Sequence, residues 1–391
     1  MIVTKEEFTE LATHEAATCV SVYLPTHSSG VEVNEKHDVI TFKTNLQKAR
    51  QELENRGMDQ ASIEKVLKKG FELLNNEDFW KNQSEGLAVF LSETTIKIVK
   101  LPVKFKEELI VNTSFFLTPL IPFMKARKPY YLLVLSKHDA RFYEGDAYGL
   151  KEKVVEGLPN GMDDVIRYEE KSGKQLMRRA GASAGPSATE GANFHGHGAG
   201  LADDDSYLEQ YLKEVDQTLW KEVLATQNYP LVIAAVDYVL ATYKQISKYK
   251  YIWKENLTGN FEYEDKNALF EKVKAKLESY FKEDTRKALL NYYNNSATGL
   301  TSSIPEDVIP ASFYGQISDL FVLKDAHIWG LFDEMENKLV VHDGKQNDDE
   351  CLINKAIIKT IQNGGDVHLL PKEKMPADSK IAGFYRFATG Q

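Results

Sequence analysis

Two stretches of this chain, Tyr130 to Leu135 (YYLLVL) and Leu231 to Val236 (LVIAAV), lack a polar break at any position. A strand with one wet face would alternate, so an unbroken apolar run of this length belongs to a strand covered on both faces. That demands a central sheet with helices on each side. A helix stands directly before the second run, where Leu208, Leu212, Val215, Leu219 and Val223 recur at spacings of three and four. Arg141, Phe142 and Tyr143 supply a neighbouring strand after Lys137, His138 and Asp139. The middle of the chain reads as an α/β domain.

The flanks follow from the same periodicities. Thr18 to Pro25 (TCVSVYLP) is a strand closed by proline, and Val39, Phe42, Leu46, Ala49 and Leu53 then line one face of a helix stopped at Gly57. A second helical pattern ends near Leu74, Gly86 to Leu91 and Thr95 to Leu101 form a hairpin, and Leu109 to Phe116 is extended. This is an α+β domain, limited by Pro119, Pro122 and the basic Lys125, Arg127 and Lys128. Downstream, a helical pattern runs from about Lys266 to Tyr293, followed by strands at Asp319 to Leu323, His327 to Phe332, Val367 to Leu370 and Gly383 to Phe387. Between them Asp348, Asp349 and Glu350 open a helix that Gly364 and Gly365 stop. The expected division of the 391 residues is an N-terminal α+β domain over 1–127, a middle α/β domain over 128–258, and a linking helix with a C-terminal α/β domain over 259–391.

Charge and cysteines narrow the class. With 48 basic against 58 acidic side chains the chain carries a formal charge of −10, which argues against sequence-independent binding to DNA. Cys19 and Cys351, far apart, make no disulfide framework, and no apolar run is long enough to cross a membrane. A cytoplasmic protein without membrane or DNA partners is expected.

The unusual segment is the glycine-rich loop of the middle domain, 171–202, within the run from Lys171 to Asp205 (KSGKQLMRRAGASAGPSATEGANFHGHGAGLADDD). Its glycines, Gly196, Gly198 and Gly200 among them, let backbone amides come close to a ligand, and Lys171, Lys174, Arg178 and Arg179 face only Glu190 in opposition. A polyanionic partner fits. His195 and His197 with Asp203, Asp204 and Asp205 have the donor types of a zinc site, yet the acidic triplet is already explained as the start of the next helix, with Ser206 and Glu209 as its capping box. Asp139 and Asp237, near strand ends, have the character of a carboxylate pair for magnesium, although aspartates at such places commonly serve turns and helix starts. No metal ligand and no cofactor are assigned. The glycines around Gly196 lack the preceding strand of a dinucleotide fingerprint.

The order of parts resembles the archaeo-eukaryotic class of release factors and Pelota, and more closely their bacterial relatives, the baeRF families. The residues that carry the likeness are CVSVYLPTH (Cys19 to His27), YYLLVLSKHDARFYEGD (Tyr130 to Asp146), FHGHGAG (Phe194 to Gly200), PLVIAAVDY (Pro230 to Tyr238), ASFYGQISDLFV (Ala311 to Val322) and NGGDVHLLPKEKMP (Asn363 to Pro376). The resemblance implies an RNase H-like middle domain and a C-terminal module of the Pelota and ribosomal-protein kind. It also implies action on the ribosome and peptidyl-tRNA, and a GTPase or ATPase partner at the C-terminal domain. Lys174, Arg178 and Arg179 become candidate RNA contacts, with Gly196, Gly198 and Gly200 as the inserted tip. Hydrolytic members carry Gly-Gly-Gln there. This chain does not, and His197 between Gly196 and Gly198 is the one candidate catalytic residue, so peptidyl-tRNA hydrolysis does not carry over. Two other readings stay open: a metal-dependent hydrolase built on the His/Asp loop, and a non-catalytic scaffold.

Overall fold

The structure is a computed structural model, and it describes residues 3–124, 128–165 and 200–388. The first strand, β1 (Glu15–Pro25), forms where β-branched and aromatic residues crowd the chain. Helices His37–Asn55 and Gln60–Leu73 follow, and Gly57, at φ 78°, turns the chain between them. Asp59 caps the second helix by accepting from the Ser62 N–H. Strands β2 (Gly86–Ser92), β3 (Ile96–Leu101) and β4 (Glu108–Ser114) complete an antiparallel sheet of order β3-β2-β1-β4. Its core joins Val20, Val22, Leu24, Leu87 and Val89 to Phe42, Leu46 and Leu53 of the first helix.

The middle sheet contains β5 (Tyr130–Leu135), β6 (Ala140–Asp146), β7 (Gly149–Glu152), β8 (Leu231–Ala235) and β9 (Leu257–Thr258), in the order β7-β6-β5-β8-β9. The first three are antiparallel neighbours, whereas β8 pairs parallel with β5 and β9 parallel with β8. Alternate residues of β5 enter two cores. Tyr131, Leu133 and Leu135 pack with helices Gly200–Glu222 and Asp237–Ile246. Tyr130, Leu132 and Val134 pack with Leu269, Val273 and Leu277 at helix Lys266–Lys276. The apolar run is thus buried on both faces.

The last part holds β10 (Thr301–Ser302), β11 (Ile317–Leu323), β12 (Trp329–Asp333), β13 (Lys338–His342), β14 (Glu350–Cys351), β15 (Asp366–Leu370) and β16 (Ile381–Tyr385). They form two sheets, β10-β16-β11-β15 and β13-β12-β14, accompanied by helices Pro305–Phe313 and Leu352–Gln362.

The protein is a mixed α/β chain with two compact units: Met1–Ala126 together with Glu283–Gln391, and Arg127–Lys282. This differs from the three-part division at 127 and 258. The N- and C-terminal parts share buried hydrogen bonds, in which Asn354 Oδ1 accepts from the Leu117 and Thr118 N–H groups at 2.7 and 3.2 Å and Asn354 Nδ2 donates to the Phe115 carbonyl at 3.0 Å. The helical pattern over 266–293 is also divided, into Lys266–Lys276, Glu278–Phe281 and Glu283–Asn294. Its early apolar stripe faces β5, while Ala288 and Tyr292 join Phe321 and Ala382 in the other unit, so one pattern serves two cores. The helix expected to open at Asp348 starts at Leu352. Asp349 instead accepts from the Gln346 N–H at 2.9 Å and bonds His342 Nδ1 at 2.7 Å, fixing the turn before β14.

Candidate functional site

The described chain stops at Val165, close in sequence to Met162, which packs against the turn that ends β5. Leu135 runs into a tight turn, with Ser136 N–H donating to the Asp139 carbonyl at 2.9 Å, and the chain returns antiparallel as β6. After β7 the chain comes back to this turn. Met162 N–H donates to the Lys137 carbonyl at 2.7 Å. Gly161, at φ 93°, lies so close that a β-carbon there would sit 2.6 Å from the His138 carbonyl. Met162 and Val165 are buried in the core, which anchors the departing chain up to its last described residue. On the return side, Leu208, Tyr211 and Leu212 of helix Gly200–Glu222 enter the same core.

Two opposite charges pair at this edge. Arg141 Nε lies 2.8 Å from Asp139 Oδ2, and Arg141 Nη2 donates to the carbonyls of Phe261 and Glu262 at 2.8 and 2.6 Å. Tyr211, with its hydroxyl buried, is held well above the usual phenol range by desolvation first and then by the charges of Asp139 and Asp164. Lys137 Nζ stands 5.9 Å from the ring centre of Tyr238. This mount at the end of β5 is held by the Asp139–Arg141 pair and by the Met162 to Lys137 main-chain hydrogen bond.

One expectation changes here. Asp139 is engaged by a guanidinium, and Asp237 stands in the first turn of helix Asp237–Ile246. The helix after the loop already runs from Gly200, so Ser206 lies inside it and is no N-cap; Glu209 pairs with Lys213 one turn on. Gly200 is accordingly a helical residue. Lys171, Lys174, Arg178, Arg179, His195, Gly196, His197 and Gly198 lie outside the described residues. Arg141 and Tyr211 were not singled out from the sequence, although the alternation Asp139, Arg141 at the start of a strand is the signal that pairs them on one face.

Residues 130–279 match the model of bacterial archaeo-eukaryotic release factor family 7. The matched stretch starts at β5 and contains the whole 171–202 segment, so this part of the chain is similar to that family. No curated protein sequence matches the chain. Among solved structures, the archaeal translation termination factor aRF1 is similar at 14% identity over 98% of this chain and 99% of that one, with a TM-score of 0.24. Pelota of Archaeoglobus fulgidus is similar at 13% identity over 78% and 81%, with a TM-score of 0.32. Dom34 of S. cerevisiae, described as a translation termination-like factor interacting with Hbs1, is similar at 12% identity over 78% and 74%, with a TM-score of 0.33. Among the described residues no helix is long and apolar enough to cross a membrane.

Proposed function

We propose that this chain acts on the ribosome as a release-factor-type protein, in peptide release or in the rescue of stalled ribosomes. The supporting observation is the family match over 130–279, which encloses the one basic, glycine-rich insertion of an otherwise acidic chain. Lys174, Arg178 and Arg179 contact ribosomal or transfer RNA phosphates, where released counterions supply the affinity. Gly196, His197 and Gly198 approach the end of peptidyl-tRNA, and the absence of side chains at the glycines permits close backbone contact. Ester hydrolysis needs a water held in line with the carbonyl carbon and a donor placed at the developing oxyanion. Without Gly-Gly-Gln, only His197 offers a titrating group in the tip, so clearing a stalled ribosome with little ester cleavage is the reading adopted. A GTPase or ATPase engaged through the C-terminal part belongs to the same reading.

The test is sedimentation with ribosomes across a salt series. The wild-type chain should co-sediment at low salt, and Lys174→Glu/Arg178→Glu/Arg179→Glu should lower the slope of log affinity against log salt by about 2 to 3. An unchanged slope would remove the segment from the binding surface.

A further inference from the structure

We propose that His27, His37 and Asp38 form a binding site for one divalent transition-metal ion of the zinc class. These are the only residues among those described whose ligand atoms gather as a group of three, all within 4.8 Å of one another. Ligands at about 2.1 Å from a metal stand roughly 3 to 3.5 Å apart, so small side-chain rotations close the set. One carboxylate and two neutral imidazoles leave one net negative charge, which suits a divalent ion. Two histidines with one carboxylate is also a donor set that leaves positions open for water or substrate.

The site is built on rigid backbone. Thr26, fully buried where β1 ends, donates its N–H to the Glu85 carbonyl at 2.9 Å and its hydroxyl to the Ser84 carbonyl at 2.7 Å. His27 therefore starts from a fixed point. Asp38, in the first turn of helix His37–Asn55 and 5% exposed, grips it twice: Oδ2 accepts from the His27 N–H at 2.9 Å and Oδ1 lies 2.8 Å from His27 Nδ1. His37 is exposed, and its ring stands edge-on to that of His27 at 5.9 Å. Lys36 reaches the preceding position only through a left-handed backbone, φ 56°, an uncommon conformation for a side-chain-bearing residue. Its ammonium lies 3.7 Å from Glu77 Oε1, pairing the nearest helix-start cation with an acid outside the cluster. Asp38 also lines a groove of about 250 Å³ together with Val39, Leu74 and Trp80.

A purely structural clamp would need only the His27–Asp38 pair and would be indifferent to His37. The experiment uses that difference. The full chain is stripped with a chelator and titrated with zinc(II) against a chromophoric competitor, and with cobalt(II) for its visible absorption bands. One equivalent of zinc should bind, and His37→Ala should weaken it at least about tenfold and reduce the cobalt bands, with an unchanged melting temperature because His37 is exposed. His27→Gln, which retains a hydrogen-bonding side chain near Asp38, should weaken binding by a similar factor. Less than one equivalent bound by the wild type, or zinc affinity unchanged in His37→Ala, would overturn the site. The outcome does not depend on ribosome binding.

Discussion

At the end of β5 and at the end of β1, a carboxylate holds the chain where a strand turns away, and the two differ in what it holds. Asp139 meets Arg141, a guanidinium that also ties down the Phe261 and Glu262 carbonyls. Asp38 meets the His27 ring and backbone, with a second imidazole beside it. A guanidinium stays charged and offers no lone pair, so Arg141 is a partner for the carboxylate but no metal ligand. An imidazole hydrogen-bonded through one nitrogen keeps the other. The same topological position is a support in one unit and a ligand-type corner in the other.

The strongest way to break this comparison is to remove each partner. Arg141→Ala leaves Asp139 and two carbonyls without their donor and should destabilise the middle unit by about 3 kcal/mol, whereas Asp38→Asn should cost its unit only about 1 kcal/mol. Hydrogen exchange of the β5 and β1 amides reads the two units separately. Equal losses would erase the distinction.

A smaller effect isolates the mount itself. Gly161→Ala adds a β-carbon 2.6 Å from the His138 carbonyl at a positive φ and should cost about 2 kcal/mol, loosening the Met162 to Lys137 hydrogen bond. Gly57 has a similar φ of 78° with open space around its added carbon, and Gly57→Ala should cost about 1 kcal/mol. Urea unfolding of the two variants separates crowding from backbone strain. A smaller loss in Gly161→Ala would mean that the turn yields.

The third test uses a carboxylate and imidazole whose ring is fully engaged. His327 has Cys351 Sγ 3.7 Å from Nδ1 and Glu108 Oε1 2.9 Å from Nε2. These two partners, the cysteine first, raise it to about 9 against the opposing effect of burial. Because the folded state favours the protonated ring, this stabilisation is complete below the ordinary value of 6.5 and is lost as pH rises through about 9. His327→Gln should flatten the fall in stability over that window. A wild-type stability that does not fall between those values would refute the pairing. With both nitrogens occupied, His327 should add nothing to zinc binding.

Much of the fold was legible because burial writes a period into the sequence. The YYLLVL and LVIAAV runs announced a doubly covered sheet, and Phe42, Leu46, Ala49 and Leu53 announced a helix face. Strand β13 escaped notice because KLVVH lies at a sheet edge with Val340 and Val341 partly exposed, where no alternation is enforced. The division at Lys282 escaped because a helical period continues across it while the surface it packs against changes. The His27 corner was illegible for another reason. Its members are separated by the short helix Val31–Asn34 and meet only through the geometry of the β1 exit. The basic glycine-rich segment was the reverse case, conspicuous in sequence because composition alone marks it.

The most direct test of the central claim is where residue 197 lies on a ribosome. Cys19 and Cys351 are both buried, so His197→Cys provides a single accessible thiol for an iron chelate that cleaves nearby RNA. On ribosomes carrying peptidyl-tRNA, the account predicts cleavage of ribosomal RNA around the peptidyl end of that tRNA, lost when Lys174, Arg178 and Arg179 are replaced by Glu. Cleavage confined to other regions, or the same pattern in the charge-reversed chain, would contradict a loop that enters the site where peptides are released.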